Sequence, residues 1–325
     1  MQTAKNTRLG FLCLISAIAL WSTVEVVVRT LHDAIPPIQF AWVRFMLGGV
    51  FLLFLLPVEL RRRKLPLTRK VVWFALWSSL PGIAISSIAL QYGLTLAGAA
   101  VIATVYGAAP LFVMGLSRVI IGDKMTIPRV VGLLLGFLGI LLLASGKPSP
   151  NFSLPGVACA LLSVGSFCLW VVLVKKYAGP YAGLPITALS FLFGVLFMTP
   201  LMLWEGGGLE IAPLLAHPVP VVYLSIGTTG LAYWLYFMGL ERIDATRAMS
   251  VILLKPPLAA GLAMMVLGEP LTWNVIGAMG LILAALYGVM VWDRRVTLTA
   301  EAKMAAGAPE FIEPKEQNLC LKKTP

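Results

Sequence analysis

Residues 93–126 read GLTLAGAAVIATVYGAAPLFVMGLSRVIIGDKMT, and residues 239–272 read GLERIDATRAMSVILLKPPLAAGLAMMVLGEPLT. Laid on one another at an offset of 146 they need no gap, and nine of 34 positions are identical: Gly93/Gly239, Leu94/Leu240, Ala99/Ala245, Val105/Val251, Pro110/Pro256, Gly115/Gly261, Leu116/Leu262, Gly122/Gly268 and Thr126/Thr272. Asp123 falls on Glu269 as well. Chance gives about three identities in stretches so rich in a few apolar residue types, so the chain carries an internal repeat.

The repeat sits in a chain that is apolar in long blocks. Of its 325 residues 59% are hydrophobic and 12% charged, against roughly 25% charged in a soluble domain. So few charges cannot cover a water-soluble particle of this length, and lipid must solvate much of its surface. A bilayer core about 30 Å thick takes roughly 20 apolar residues in a helix. Ten stretches qualify: Leu9–Val28, Pro36–Val58, Val71–Gln91, Ala99–Arg118, Ile127–Gly146, Ser153–Val174, Gly183–Trp204, Pro218–Gly239, Ala245–Leu267 and Thr272–Trp292. Backbone groups in lipid must be satisfied within the segment, which makes spans of this length helices. Barrel strands would be shorter and would alternate apolar with polar. The predicted fold class is all-α integral membrane.

Lys and Arg set the orientation. The N-terminus, the loops after spans two, four, six and eight, and the C-terminal segment together hold 21 of them, while the opposite side holds only Arg29 and Lys147. Both termini are therefore expected in the cytoplasm, with the protein multi-pass in a cell inner membrane. The formal charge of +11 follows from this asymmetry and from anionic headgroups; no aromatic-interleaved basic stripe accompanies it, and nucleic acid is not an expected partner. Cys13, Cys159, Cys168 and Cys320 match no zinc or redox spacing, and His32 and His217 are the only histidines. No metal or cofactor is expected.

Ten spans divided by the repeat put five in each half. The predicted units are residues 1–148, residues 149–293, and a disordered cytoplasmic tail, 294–325, with Pro309, Pro314 and mixed charges. An odd number per half sends the second half into the membrane from the other side. The charges agree: the loop after span four is basic, whereas its counterpart, Gly268-Glu269-Pro270, has no Lys or Arg. Two inverted five-helix repeats are a hallmark of secondary transporters, whose substrate binds near the midplane between the halves. Lys5, Arg8 and Ala17-Ile18-Ala19 mimic a secretory signal, but its removal would leave nine spans and break the symmetry.

Several segments give the chain a family likeness: Ala19-Leu20-Trp21-Ser22-Thr23, Trp42-Val43-Arg44-Phe45, the paired stretches from Gly93 to Asp123 and from Gly239 to Glu269, and Gly268-Glu269-Pro270-Leu271-Thr272. Over residues 9–292 it resembles the drug/metabolite transporter superfamily, and within it the EamA-type carriers of ten helices. The resemblance implies metabolite transport. One position departs: the residue before the span-nine proline is often acidic in that family and is Lys255 here.

Polar residues at membrane depth are the candidate site. Lys255 lies about 15 Å into span nine, where a charge costs at least about 2.5 kcal/mol on insertion scales. Pro256 and Pro257 follow it, and Pro110 occupies the equivalent place in span four. These prolines predict helix breaks, tolerated only against protein or a wet cavity. Glu25 and Arg44 are expected to pair across spans one and two, with Arg29 at i+4 as the alternative partner of Glu25. Polar or aromatic stripes add Trp21, Gln91, Tyr106, Trp170 and Tyr233 as substrate-binding or gating candidates. The plainer readings are that Lys255 fastens helices by pairing with an acid, and that the Ser, Thr and Trp stripes pack helices or mark the interface. Gly132, Gly136 and Gly139 predict a close-packing face, open to use by a homodimer.

The function this predicts is secondary transport, as an exporter, of a small anionic or zwitterionic metabolite such as an amino acid or organic acid. Alternating access through a central cavity between the repeats would carry it across the lipid bilayer. No Walker loop is present, so ATP is not the direct driver. The competing classes are an intramembrane enzyme and a non-transporting receptor or assembly protein. The first lacks His-Glu-x-x-His, Gly-x-Ser-x-Gly and paired intramembrane aspartates.

Overall fold

The computed structural model describes residues 2–31, 34–123, 126–145, 153–206, 208–242, 251, 254–268, 271–288 and 291–292, without the side chains of 2–6, 143–144, 206 and 256. The expected tail, Glu269, Pro270 and the side chain of Pro256 lie outside the described residues. Among the described residues all regular structure is helical. The α-helices are α1 Gln2–Ser22, α2 Val24–Leu31, α3 Pro37–Arg63, α4 Arg69–Ser79, α5 Ser86–Gly107, α6 Ala109–Ile120, α7 Ile127–Ala144, α8 Leu154–Tyr177, α9 Leu184–Gly206, α10 Ile211–Ala216, α11 Pro218–Val222, α12 Ala232–Leu240, α13 Lys255–Leu267 and α14 Trp273–Gly288. Among the described residues six helical stretches are long and apolar enough to cross a membrane: Thr7–Leu31, Pro37–Arg63, Arg69–Gly107, Leu154–Tyr177, Leu184–Glu205 and Pro218–Leu240. Four shorter apolar helices accompany them, Ala109–Ile120, Ile127–Leu142, Pro257–Leu267 and Trp273–Gly288. The outer surface is apolar. Trp273 is 86% exposed, Trp204 83% and Phe54 78%, an arrangement that water would penalise and lipid accommodates.

The expected third and fourth spans differ from the observed helices. The sequence reading puts a loop between Gln91 and Ala99. The chain instead runs helical from Ser86 to Gly107 and turns on Gly98 alone, whose φ of 75° no side chain would readily adopt. The loop is one residue because glycine makes a loop unnecessary. Expected span four is then interrupted at Ala108, and α6 begins beside Pro110. Span one is interrupted as well, at Thr23, whose hydroxyl donates to the Leu20 carbonyl at 2.8 Å.

Local features recur at the offset of 146. The break at Ala108 has its counterpart at Leu254, just before α13. Gly122 and Gly268 both have positive φ, at 86° and 65°. A π-helical turn, Leu80–Ile85, interrupts the third span, and the π-helical segment Tyr223–Leu231 includes the equivalent residues. Tertiary contacts follow the same rule. A Cβ on Gly48 would stand 2.7 Å from Cγ2 of Thr229, and one on Gly194 would stand 2.4 Å from Cγ2 of Ile83; both members of the second pair are the first pair shifted by 146. Phe45 and its counterpart Phe191 meet edge to face, with ring centroids 5.0 Å apart. Between the halves α3 packs on α9, α7 on α14 and α5 on α13, while α5 packs on α8 as α1 packs on α12. Small residues allow these close approaches, which is how helices associate where lipid tails are as apolar as the side chains.

The glycine face of α7 is used within the chain. A Cβ on Gly136 would stand 2.1 Å from Leu111, and one on Gly139 would stand 3.1 Å from the Ala278 carbonyl of α14.

Candidate functional site

The interruption of span one at Thr23 sets Glu25 in the first turn of α2, and the break at Leu254 makes Lys255 the first residue of α13. The two meet. Lys255 Nζ donates to Glu25 Oε1 at 2.9 Å, with the lysine side chain 19% exposed and the glutamate 3%. A carboxylate near a helix N-terminus is also favoured by the helix dipole. The expected partners of Glu25 differ: Arg29 donates to the Leu94 carbonyl at 3.2 Å, and Arg44 forms no ion pair among the described residues. The reason is packing. Starting α13 at Lys255 brings its N-terminal end to α2, where Lys255 would otherwise be a half-buried cation without a counter-charge.

Around this pair the aromatic candidates assemble. Lys255 Nζ stands 5.0 Å from the centroid of the Tyr106 ring. The Tyr106 hydroxyl is 2.6 Å from Ser163 Oγ, which donates onward to the Ser86 carbonyl at 2.6 Å. Trp21 donates its indole N–H to the Thr228 carbonyl in the π-helical segment at 3.0 Å. Its ring lies 4.8 Å from Tyr233 and 5.0 Å from Tyr236. Tyr233 meets Phe191 at 5.1 Å, Phe191 meets Phe45, and the Arg44 guanidinium lies 4.7 Å over the Phe45 ring.

Arg44 is buried, at 7% exposure. Its Nε is enclosed and unpartnered, and so is Oε2 of Glu25. Tyr233, Tyr106 and Glu25 are the groups within electrostatic range of the guanidinium. Glu25, Lys255, Arg44, Trp21, Tyr106 and Tyr233 therefore form one cluster, built from both halves of the chain. Gln91 lies apart from it, and Trp170 adjoins it through the core it shares with Phe45 and Phe191. Gln91 donates to the Pro37 carbonyl at 2.7 Å and lines a small cavity with Val28, Ile35 and Phe40. Trp170 packs against Gly82 and donates to Ser190 Oγ at 3.3 Å. Pro110 and Pro257 sit in the first turns of α6 and α13, where an amide N–H would have no helical partner. They begin helices; they do not kink one. Ser163, Ser86, Phe45 and Phe191 complete the cluster and were not singled out as site residues. Extending the 146-residue shift beyond 93–126 would have paired Phe45 with Phe191.

Polar links also lie at the C-terminal ends of α3 and α12. Arg62 donates to Glu59 and to Glu241, both at 2.8 Å. Arg63 donates to Glu241 at 2.7 Å and to the carbonyls of Pro180 and Ala182, each at 3.2 Å. Shifting Glu59 by 146 gives Glu205, which accepts a hydrogen bond from Tyr92.

The EamA-like transporter family model matches residues 8–145 and matches again at residues 154–291. The chain belongs to the EamA-like transporter family. The double match makes each half one copy of the family unit. An uncharacterized transporter of Archaeoglobus fulgidus is 26% identical over 283 residues, 84% of this chain and 95% of that one. One from Clostridium kluyveri is 24% identical over 274 residues, covering 82% and 88%. A protein of Salmonella typhimurium named "Probable amino-acid metabolite efflux pump" is 25% identical over 300 residues, covering 90% and 97%. A solved crystal structure, 21% identical, superposes with a TM-score of 0.61 over 90% of this chain and 99% of that one. This EamA-like chain is thus a multi-pass membrane transporter, and the family and these relatives are transporters, not enzymes.

Proposed function

We propose that this chain is a secondary exporter of a small metabolite bearing a carboxylate, an amino acid or an organic acid. On this reading its ten spans form two inverted five-helix repeats, with both termini in the cytoplasm of a cell with an inner membrane. The observation that carries the proposal is the cluster of Glu25, Lys255 and Arg44, drawn from both halves, beside the start of α13 at Lys255. Charges are retained there at a cost of several kcal/mol, and a helix that starts within a predicted span suits a cavity that opens. The name of the Salmonella relative supports export and an amino-acid-like cargo.

The mechanism is alternating access. Substrate binds at the cluster, and the halves rock so that one face opens as the other closes. Glu59, Arg62, Arg63 and Glu241 hold one face shut, and Tyr92 with Glu205 belongs to the opposite face. The test is flux in proteoliposomes without ATP. Carboxylate metabolites should exchange across vesicles that hold the protein and not across protein-free ones; flux that requires ATP would rule out a secondary transporter.

A further inference from the structure

We infer that Arg44 is the anion receptor of this site and that the transported species carries one net negative charge, a carboxylate with no neighbouring ammonium. The inference rests on the transport reading and narrows it to organic acids over amino acids.

The charges of the cluster do not balance. Three charged side chains meet in the cluster, Glu25, Lys255 and Arg44. The first two neutralise one another at 2.9 Å. Arg44 remains, a guanidinium that proteins do not deprotonate. It has no ion pair or hydrogen bond among the described residues, and its buried Nε has no partner. The Phe45 ring lies 4.7 Å away, and the groups in electrostatic range are the phenols of Tyr233 and Tyr106 and the Glu25 carboxylate, whose charge Lys255 already offsets. Cation–π contact returns roughly 0.5–2 kcal/mol, against an effective desolvation penalty of several kcal/mol for a buried ion. Among the described residues the site thus holds one uncompensated positive charge. A carboxylate cancels it and matches the planar fork of the guanidinium, two N–H groups to two oxygens.

A zwitterion would fit less well. Its carboxylate could take Arg44, and its ammonium could reach the unpartnered Oε2 of Glu25. That ammonium would then share one carboxylate with Lys255, and the net charge of the cluster would stay at plus one. The like charges would face each other where little water screens them. An amine without a carboxylate would raise the charge further. The rings of Trp21, Tyr233, Phe45 and Phe191 provide an apolar wall for the rest of the molecule.

The test uses the full-length protein in proteoliposomes and matched triads that differ only in headgroup: phenylpropanoate, phenylalanine and phenethylamine; indolepropanoate, tryptophan and tryptamine; pentanoate, norvaline and butylamine. Efflux is corrected for protein-free vesicles. In each transported triad the plain carboxylate should leave about tenfold or more faster than the amino acid, and the amine should not exceed the blank. Arg44→Met should erase this order, and Arg44→Lys should keep it. A merely structural arginine behaves otherwise: Arg44→Met would lower the melting temperature and all rates together without changing the headgroup order. Amino acids moving as fast as plain carboxylates, or an order unchanged in Arg44→Met, would overturn the inference while leaving transport standing. If no member of any triad moves above the blank, the transport reading itself fails.

Discussion

The two oxygens of Glu25 have different fates, one held by Lys255 and the other unpartnered. That difference sets the outcome of mutating the pair. Lys255→Met removes the cation and strands a carboxylate, a change that typically costs about 3–5 kcal/mol in a buried pair. The melting temperature of the purified protein should fall, and transport should be lost with it. Glu25→Gln combined with Lys255→Met removes both charges and should recover most of the melting temperature. Transport should stay lost in the double mutant if the pair takes part in the cycle. Full transport there would mean that the pair only fastens α2 to α13. The individual side chains were legible in the sequence, because charge at membrane depth is conspicuous. That Lys255 pairs with an acid was one of the readings; that the acid is Glu25 was not legible. Glu25 and Lys255 are 230 positions apart, and only the packing of α13 on α2 decides that Lys255, and neither Arg29 nor Arg44, reaches the carboxylate.

At the scale of elements, the apolar blocks marked the helices well. α8 and α9 begin and end within a few residues of their expected limits, because Ser153 caps one and Gly183 precedes the other. Hydropathy says nothing of a turn confined to Gly98 or a break at Thr23, since neither interrupts the apolar run. The glycine contacts carry the next prediction. A methyl on Gly194 would meet Ile83 at 2.4 Å and one on Gly48 would meet Thr229 at 2.7 Å, so each alanine substitution should destabilise by about 1–3 kcal/mol. Because the two sites are repeat equivalents, their losses in thermal unfolding should be similar; a neutral Gly194→Ala would show that α9 has slack against the third span. The polar links at the helix ends predict a different response. Glu241→Gln weakens the links to Arg62 and Arg63, which should favour opening of that face. Hydrogen exchange should quicken around Gly179–Tyr181 and the end of α12, and slow around Tyr92 and Glu205. Faster exchange at both faces would indicate plain loosening, not alternating access.

For the whole molecule, the repeat seen in 34 residues of sequence extends to breaks, π-helical turns and packing contacts across the chain, and the family match covers both halves. What the repeat leaves unequal is chemistry: Arg44 has Ser190 as its counterpart, and Lys255 has Ala109. A symmetric frame thus carries an asymmetric site, which is why the frame was readable by shifting the sequence and the site was not. The proposed topology rests on the charge bias. Reporters placed at Arg62 and after Arg295 should both signal the cytoplasm, and a periplasmic signal from either would overturn the orientation. The central claim is that this chain exports a small carboxylate. The most direct measurement compares metabolites released by cells with and without the protein, alongside cells carrying Arg44→Met at equal expression. The account predicts that a small set of carboxylates accumulates outside only when the wild-type protein is present. Identical media from all three strains, or release confined to cations and neutral solutes, would contradict it.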